Sequence, residues 1–168
     1  MIVEDNKILI WDGSRKNIWI FDTSGKYINR IDKLGKGPGE YSSIYSFSYS
    51  SPNKIHIIDG FQQLIKTYNL SGEFLYEEKT EGYTSQFIEF QGKKCYFYYT
   101  FRNMRKKNYH LVLKDSMNKE IGFFEYKNPY LFPFPNMFVK CENSIFFTQP
   151  YNDTISFTSA SLVDRTDF

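Results

Sequence analysis

Apolar residues along this chain fall into short runs, some alternating with polar residues and some continuous, each broken by Asp-Gly, Ser-Gly or Pro-Gly. Runs of about four to eight residues with such punctuation predict β-strands joined by tight hairpins, because Asn, Asp and Gly tolerate the positive backbone angles that hairpins need. The runs also recur. Lys7-Ile8-Leu9-Ile10-Trp11-Asp12-Gly13 returns as Lys54-Ile55-His56-Ile57-Ile58-Asp59-Gly60, and Ile18-Trp19-Ile20-Phe21-Asp22-Thr23-Ser24-Gly25 returns as Ile65-Lys66-Thr67-Tyr68-Asn69-Leu70-Ser71-Gly72. Ile8 answers to Ile55 and Ser24 to Ser71, so both segments keep one offset of 47 residues without a gap.

The complete unit reads as an antiparallel meander with strands at 44–50, 54–59, 64–68 and 74–79. A more degraded copy is expected at 86–90, 94–101, 109–114 and 120–124, with an enlarged basic loop between its second and third strands. A further copy starts at 136–140, continues through 144–148 and reaches 154–157. At the front, only Ile2 to Glu4 stands for an inner strand. Four strands per unit and a period of roughly 40 to 50 residues are the signature of a β-propeller. The expectation is therefore an all-β chain of about three and a half propeller blades (approximately 1–34, 41–80, 84–126 and 135–157) in a partial β-propeller spanning 1–157. Residues 158–168 read as an irregular tail outside the pattern, with a non-native end as one reading. Open strand edges promote unwanted pairing, so the expected six-bladed ring would need further blades of the same protein, or a second chain, to close.

Composition sharpens this picture. Aromatic residues make up 20% of the chain and alanine occurs once, at Ala160, which favours pleated, half-buried surfaces over helix. The formal net charge of +2, with acidic and basic residues interleaved, argues against duplex nucleic acid as a partner. No transmembrane segment and no signal peptide is legible. Cys95 and Cys141 belong to no CxxC pair and read as small buried side chains, with a bridge between neighbouring blades as the alternative.

Gly35-Lys36-Gly37-Pro38-Gly39-Glu40-Tyr41 follows the strand expected at 27–34. Together with Asp22-Thr23-Ser24-Gly25-Lys26-Tyr27 and the later Tyr151-Asn152-Asp153-Thr154-Ile155, it resembles the six-bladed, NHL-repeat-like β-propeller proteins abundant in gut-dwelling bacteria. In that family a GxGPGEY loop follows a strand–Gly–strand unit. The resemblance implies a mostly uncharacterised envelope protein, in the periplasm or on the cell surface. A cytoplasmic location stays open on the residues alone.

The glycines of this loop are spaced wrongly for a dinucleotide fingerprint and lack the Lys-Ser/Thr of a P-loop. Gly35, Gly37, Pro38 and Gly39 are read as a structural turn, with Pro38-Gly39 at the centre of a type II turn and Glu40 accepting backbone N–H groups. Asp12, Asp22 and Asp59 recur at strand ends, where a channel metal would draw oxygen ligands from several blades; turn formation beside Gly is a sufficient account. His56 and His110 have no ligand partner at zinc spacing. No catalytic residue, metal or cofactor is therefore assigned.

Two segments invite a binding role. The loop Arg102-Asn103-Met104-Arg105-Lys106-Lys107-Asn108 follows the aromatic run 96–101, combining charge with stacking surface; a solvated hairpin tip is the alternative. Tyr130 to Asn136 carries rings that suit sugar faces, or that pack a Pro-rich connection on a blade. In a propeller, blade-to-blade loops and second-to-third-strand loops share a face, which gathers Arg15, Lys16, Lys36, Glu40, Phe61, Gln62, Arg102, Arg105 and Tyr151. The leading expectation is a non-catalytic module binding a protein, peptide or glycan there. The alternative is a propeller hydrolase or lyase whose channel site is completed by blades absent from this chain.

Overall fold

The computed structural model describes residues 1–80, 82–98, 109–125, 138–141, 144–148 and 155–159. These residues form strands and turns, with no helix among them. The chain divides into two compact units, Met1–Leu131 and Phe132–Phe168.

The first unit holds three separate four-stranded antiparallel sheets, each a simple meander. The first comprises β1 (Ile2–Glu4), β2 (Lys7–Asp12), β3 (Asn17–Asp22) and β4 (Tyr27–Ile31). The second comprises β5 (Ser46–Ser50), β6 (Lys54–Asp59), β7 (Leu64–Asn69) and β8 (Phe74–Lys79). The third comprises β9 (Thr84–Phe90), β10 (Lys93–Tyr98), β11 (Tyr109–Lys114) and β12 (Glu120–Glu125). In the second unit, β13 (Phe138–Cys141), β14 (Ser144–Thr148) and β15 (Ile155–Ser159) form a three-stranded antiparallel sheet.

Backbone geometry follows the 47-residue offset closely. Asn6 and Asn53, Lys16 and Gln63, and Gly25 and Gly72 all carry positive φ. The register shifts between Ile20 and Phe21 in the first sheet, and between the matching Thr67 and Tyr68 in the second. The hairpin leading to each outer strand is held by one side chain. Asp22 Oδ1 accepts from the amides of Ser24 and Lys26, Asn69 Oδ1 from that of Glu73, and Asp115 Oδ1 from those of Met117 and Lys119. Such side chains mimic a backbone turn and fix the strand exit.

Alternation assigns the faces. Leu9, Ile18, Ile20 and Ile31 of the first sheet pack with Tyr49, Ile55, Ile57 and Tyr68 of the second, together with Tyr41 and Ile44 from the connection. On the other face of the second sheet, Ile58 and Ile65 meet Phe87 and Tyr96 of the third. The middle sheet is thus covered on both sides, and β6 is buried at every position from Ile55 to Asp59.

Several strand ends differ from the sequence expectation, those of β7, β9 and β13 among them, and three differences have a visible physical reason. β4 stops at Ile31, short of Leu34, because Leu34 forms an isolated parallel bridge with Tyr41. β5 starts at Ser46, since Ser42 and Ser43 are drawn to Asp59 and do not pair along β6. β15 runs on through Thr158 and Ser159, which pair with Ile145 and Ser144 and complete the match along β14, so the regular part outlasts residue 157.

Candidate functional site

One end of the first two sheets is tied together by three contacts. Tyr41 is fully buried, donates through Oη to the carbonyl of Lys16 at 2.7 Å and accepts from the amide of Lys33 at 3.3 Å. This joins the β2–β3 hairpin to the connection between sheets. Asp59, also without exposed surface, closes the β6–β7 hairpin by accepting from the amides of Phe61 and Gln62 at 3.2 Å. Its other oxygen receives the amide of Ser42 at 2.6 Å, and Ser43 Oγ reaches Oδ1 at 3.0 Å. Burial alone would raise this carboxyl; the donors from Ser42, Gln62 and Ser43 outweigh it and hold the group below the usual carboxylate range. Finally, the Thr80 amide donates to the carbonyl of Gln63 at 2.9 Å, bringing in the connection to the third sheet.

Between these anchors lies the glycine-rich loop. The Glu40 amide donates to the carbonyl of Gly37 at 3.0 Å, with Pro38 and Gly39 at the central positions and Gly39 at φ 70°. That is type II turn geometry. The Glu40 carboxylate folds back and accepts from the Gly37 amide at 2.8 Å. A β-carbon on Gly35 would collide with Glu40 Oε2, and one on Gly39 would lie 2.8 Å from the Phe74 ring. The loop is therefore compact, with the Gly37 amide given to its own carboxylate and the Gly35 amide to the carbonyl of Tyr41.

On this pinned end, Arg15, Lys16 and Lys36 are exposed, Glu40 and Gln62 are partly buried, and Phe61 is 86% exposed at the hairpin tip. Arg15 keeps a loose contact with Asp12, its Nε 3.9 Å from Oδ2. Arg102, Arg105 and Tyr151 lie outside the described residues, as do the basic loop at 102–108 and the aromatic segment at 130–136. Sequence reasoning did not single out Tyr45 and Tyr83. Both are about half exposed on the same end, with the Tyr45 side chain beside Gly60. Their place directly before a strand on the two connections was the available signal.

The aspartates are spent on turns. Asp12 accepts from Ser14 and the Arg15 amide, and Asp22 from Ser24 and Lys26. Hydrogen bonds from Ser14 and from Ser24, ahead of the other causes, lower the two carboxyls. Among the described residues, no three His, Cys, Asp or Glu side chains converge as a metal site would require. Cys95 is a free thiol, buried, and pushed up to about 12 by that burial, so it is not poised as a nucleophile.

A polar layer between the second and third sheets was not legible either. Lys54 Nζ lies 3.0 Å from Glu89 Oε2, while Tyr76 Oη donates to Glu89 Oε1 at 3.0 Å. Lys94 pairs with Glu78, which also accepts from Tyr96 Oη at 2.9 Å. His56 lies beneath this layer with no exposed surface. These groups pair with one another across the two sheets, an arrangement that fixes register more than it offers a reactive centre.

Fold and rim together define an all-β protein of antiparallel meanders, with the described connections of the first unit gathered at one end. The chain belongs to the family described as Domain of unknown function (DUF4934), which matches residues 1–161. It is similar to the crystal structure of a Bacteroides fragilis protein described as a candidate exported protein: 28% identity, TM-score 0.77, covering 94% of this chain and 46% of that one. The chain thus spans about half the length of that relative. No curated protein matches it.

Proposed function

We propose that this chain is part of a β-propeller, related to the six-bladed NHL-like proteins, that acts as a non-catalytic binding module of the bacterial cell envelope. It takes a protein, peptide or glycan on the loop end described above. The observation that carries this reading is the pinned rim. Tyr41, Asp59 and Thr80 tie three loops into one end, which carries the exposed cations of Arg15, Lys16 and Lys36 and an almost fully exposed Phe61 ring. Rigid presentation lowers the ordering cost of binding, and exposed rings with nearby cations suit peptide and sugar faces. The separate four-stranded meanders support the propeller. The relative described as exported supports the envelope location.

The test uses the full-length protein on a glycan array and in pull-downs from envelope extracts, beside an Arg15→Ala, Phe61→Ala double variant. Loss of a captured ligand in the variant is expected. Undiminished capture of every ligand found would remove this end as the binding surface.

A further inference from the structure

We propose that the outward face of the first sheet is the seat of a further four-stranded meander, supplied by the segment that precedes Met1 in a longer natural protein. Ile8, Ile10, Trp19 and Phe21 lie on the face opposite Leu9 and Ile20, by strand alternation and cross-strand register. Val3 joins them through its pairing with Ile8 and is 59% exposed. Ile10 is 39% exposed and Tyr27 51%. These positions make an apolar and aromatic surface, over which the Arg30 guanidinium lies 5.1 Å from the Trp19 ring, of the kind that soluble proteins rarely leave uncovered.

The second sheet shows what such a face is built to receive. Its residues at the same offset of 47 are Ile55, Ile57, Lys66 and Tyr68, all between 0% and 2% exposed. The two isoleucines and Tyr68 pack against the first sheet. The likeness extends to ring geometry. Phe21 meets Tyr27 edge-on at 6.0 Å and 70°, and Tyr68 meets Phe74 at 5.9 Å and 67°. In the second sheet, Gly39 of the preceding connection closes over that ring pair, with its carbonyl accepting from Tyr68 Oη at 3.0 Å. The Phe21–Tyr27 pair is therefore a prepared seat for the connection that would lead into the first sheet. A meander whose facing side resembles Leu9, Ile18, Ile20 and Ile31 fits it. The similar Bacteroides fragilis structure has the length to hold more such units, since this chain covers 46% of it. The inference rests on the propeller reading proposed above, which it deepens by naming the seat and its occupant, and is independent of the ligand binding.

The experiment compares the full-length protein, read from the upstream frame, with the 168-residue chain, each carrying Ile10→Glu or Ile57→Glu. Ile57→Glu should unfold or strongly destabilise both lengths. Ile10→Glu should be tolerated in the 168-residue chain, yet lower Tm of the full-length protein by on the order of 10 °C. A second readout avoids dependence on folding of the variants: with every tryptophan other than Trp19 replaced by Phe in both lengths, acrylamide quenching of Trp19 should fall several-fold in the longer chain. Equal tolerance of Ile10→Glu at both lengths with unchanged quenching would overturn the proposal. So would an upstream frame too short for one meander. A dimer of the 168-residue chain that Ile10→Glu dissolves, and that persists in the full-length protein, would give the face to a second copy and overturn it as well.

Discussion

His56 has no exposed surface, and its ring nitrogens lie 2.9 Å from Thr67 Oγ1 and 3.0 Å from Ser50 Oγ. Burial pushes the imidazole down to about 4; Glu89, 3.9 Å away, opposes this, while Lys54 and Lys94 reinforce it. Between that value and the ordinary 6.5, the unfolded chain holds a proton that the folded chain refuses. Stability therefore rises with pH through this window: the contribution is complete above about 6.5 and is lost as pH falls toward 4, on the order of 3 kcal/mol in all. Glu89, whose carboxyl is held low by Lys54 against the effect of burial, adds a loss of the same sign in more acidic solution. Urea unfolding at about pH 7.5 and about pH 5 should show this slope, and His56→Gln should flatten it; equal slopes in the two proteins would exclude His56 as the source. Asp59 calls for a different test because its charge is fully satisfied. Asp59→Ala strands the amides of Ser42, Phe61 and Gln62 together with two hydroxyls, and should cost on the order of 3 kcal/mol in denaturant midpoint experiments. Asp12→Ala, at the partly exposed counterpart, should cost clearly less.

At the scale of elements, the connection between the first two sheets is a wedge as well as a link. Gly39 combines φ 70° with a β-carbon position 2.8 Å from Phe74, whereas Gly25, at φ 86°, has nothing within 4 Å. Gly25→Ala should therefore show only the backbone cost, about 1 kcal/mol, and Gly39→Ala that cost plus displacement of β8, about 2 to 4 kcal/mol. Similar losses for the two in thermal unfolding would mean that Phe74 yields freely. The strands themselves were readable because each is bounded by a turn with local chemistry: Asp22 and Asn69 act within four residues of themselves. β6 and β8 fell where the pattern put them for that reason. What escaped notice depends on partners far along the chain. Lys66 has the composition of a solvated position, yet it is 2% exposed with Nζ 2.9 Å from Glu77. His56 looked like one more residue in an apolar run until Glu89, from another sheet, came beside it. The starts of β5 and the end of β4 were misjudged because Asp59 and Tyr41 recruit the intervening residues, a competition that no local pattern records.

For the whole molecule, the arrangement makes a gradient of protection. The middle sheet of the first unit has neighbours on both faces, and β6 and β7 lie at its centre with four or more consecutive buried residues each. The outer strands alternate exposed with partly covered positions; β8 has no buried residue, and β4 has only Ile31. Among the described residues, the first sheet is covered on one side alone. Opening free energies follow burial and hydrogen bonding of the surrounding backbone, so local openings should release outer strands well before the centre. Amide exchange followed by mass spectrometry should find the slowest peptides at 54–59 and 64–69, intermediate ones at 7–12 and 17–22, and the fastest at 74–79 and 27–31. Strands 7–12 and 17–22 match the slowest pair position for position at the 47-residue offset, so intrinsic strand preference does not separate them; coverage does. Equal protection of the two pairs in the 168-residue chain would show that the uncovered side of the first sheet costs it nothing, and that each meander is stable by itself.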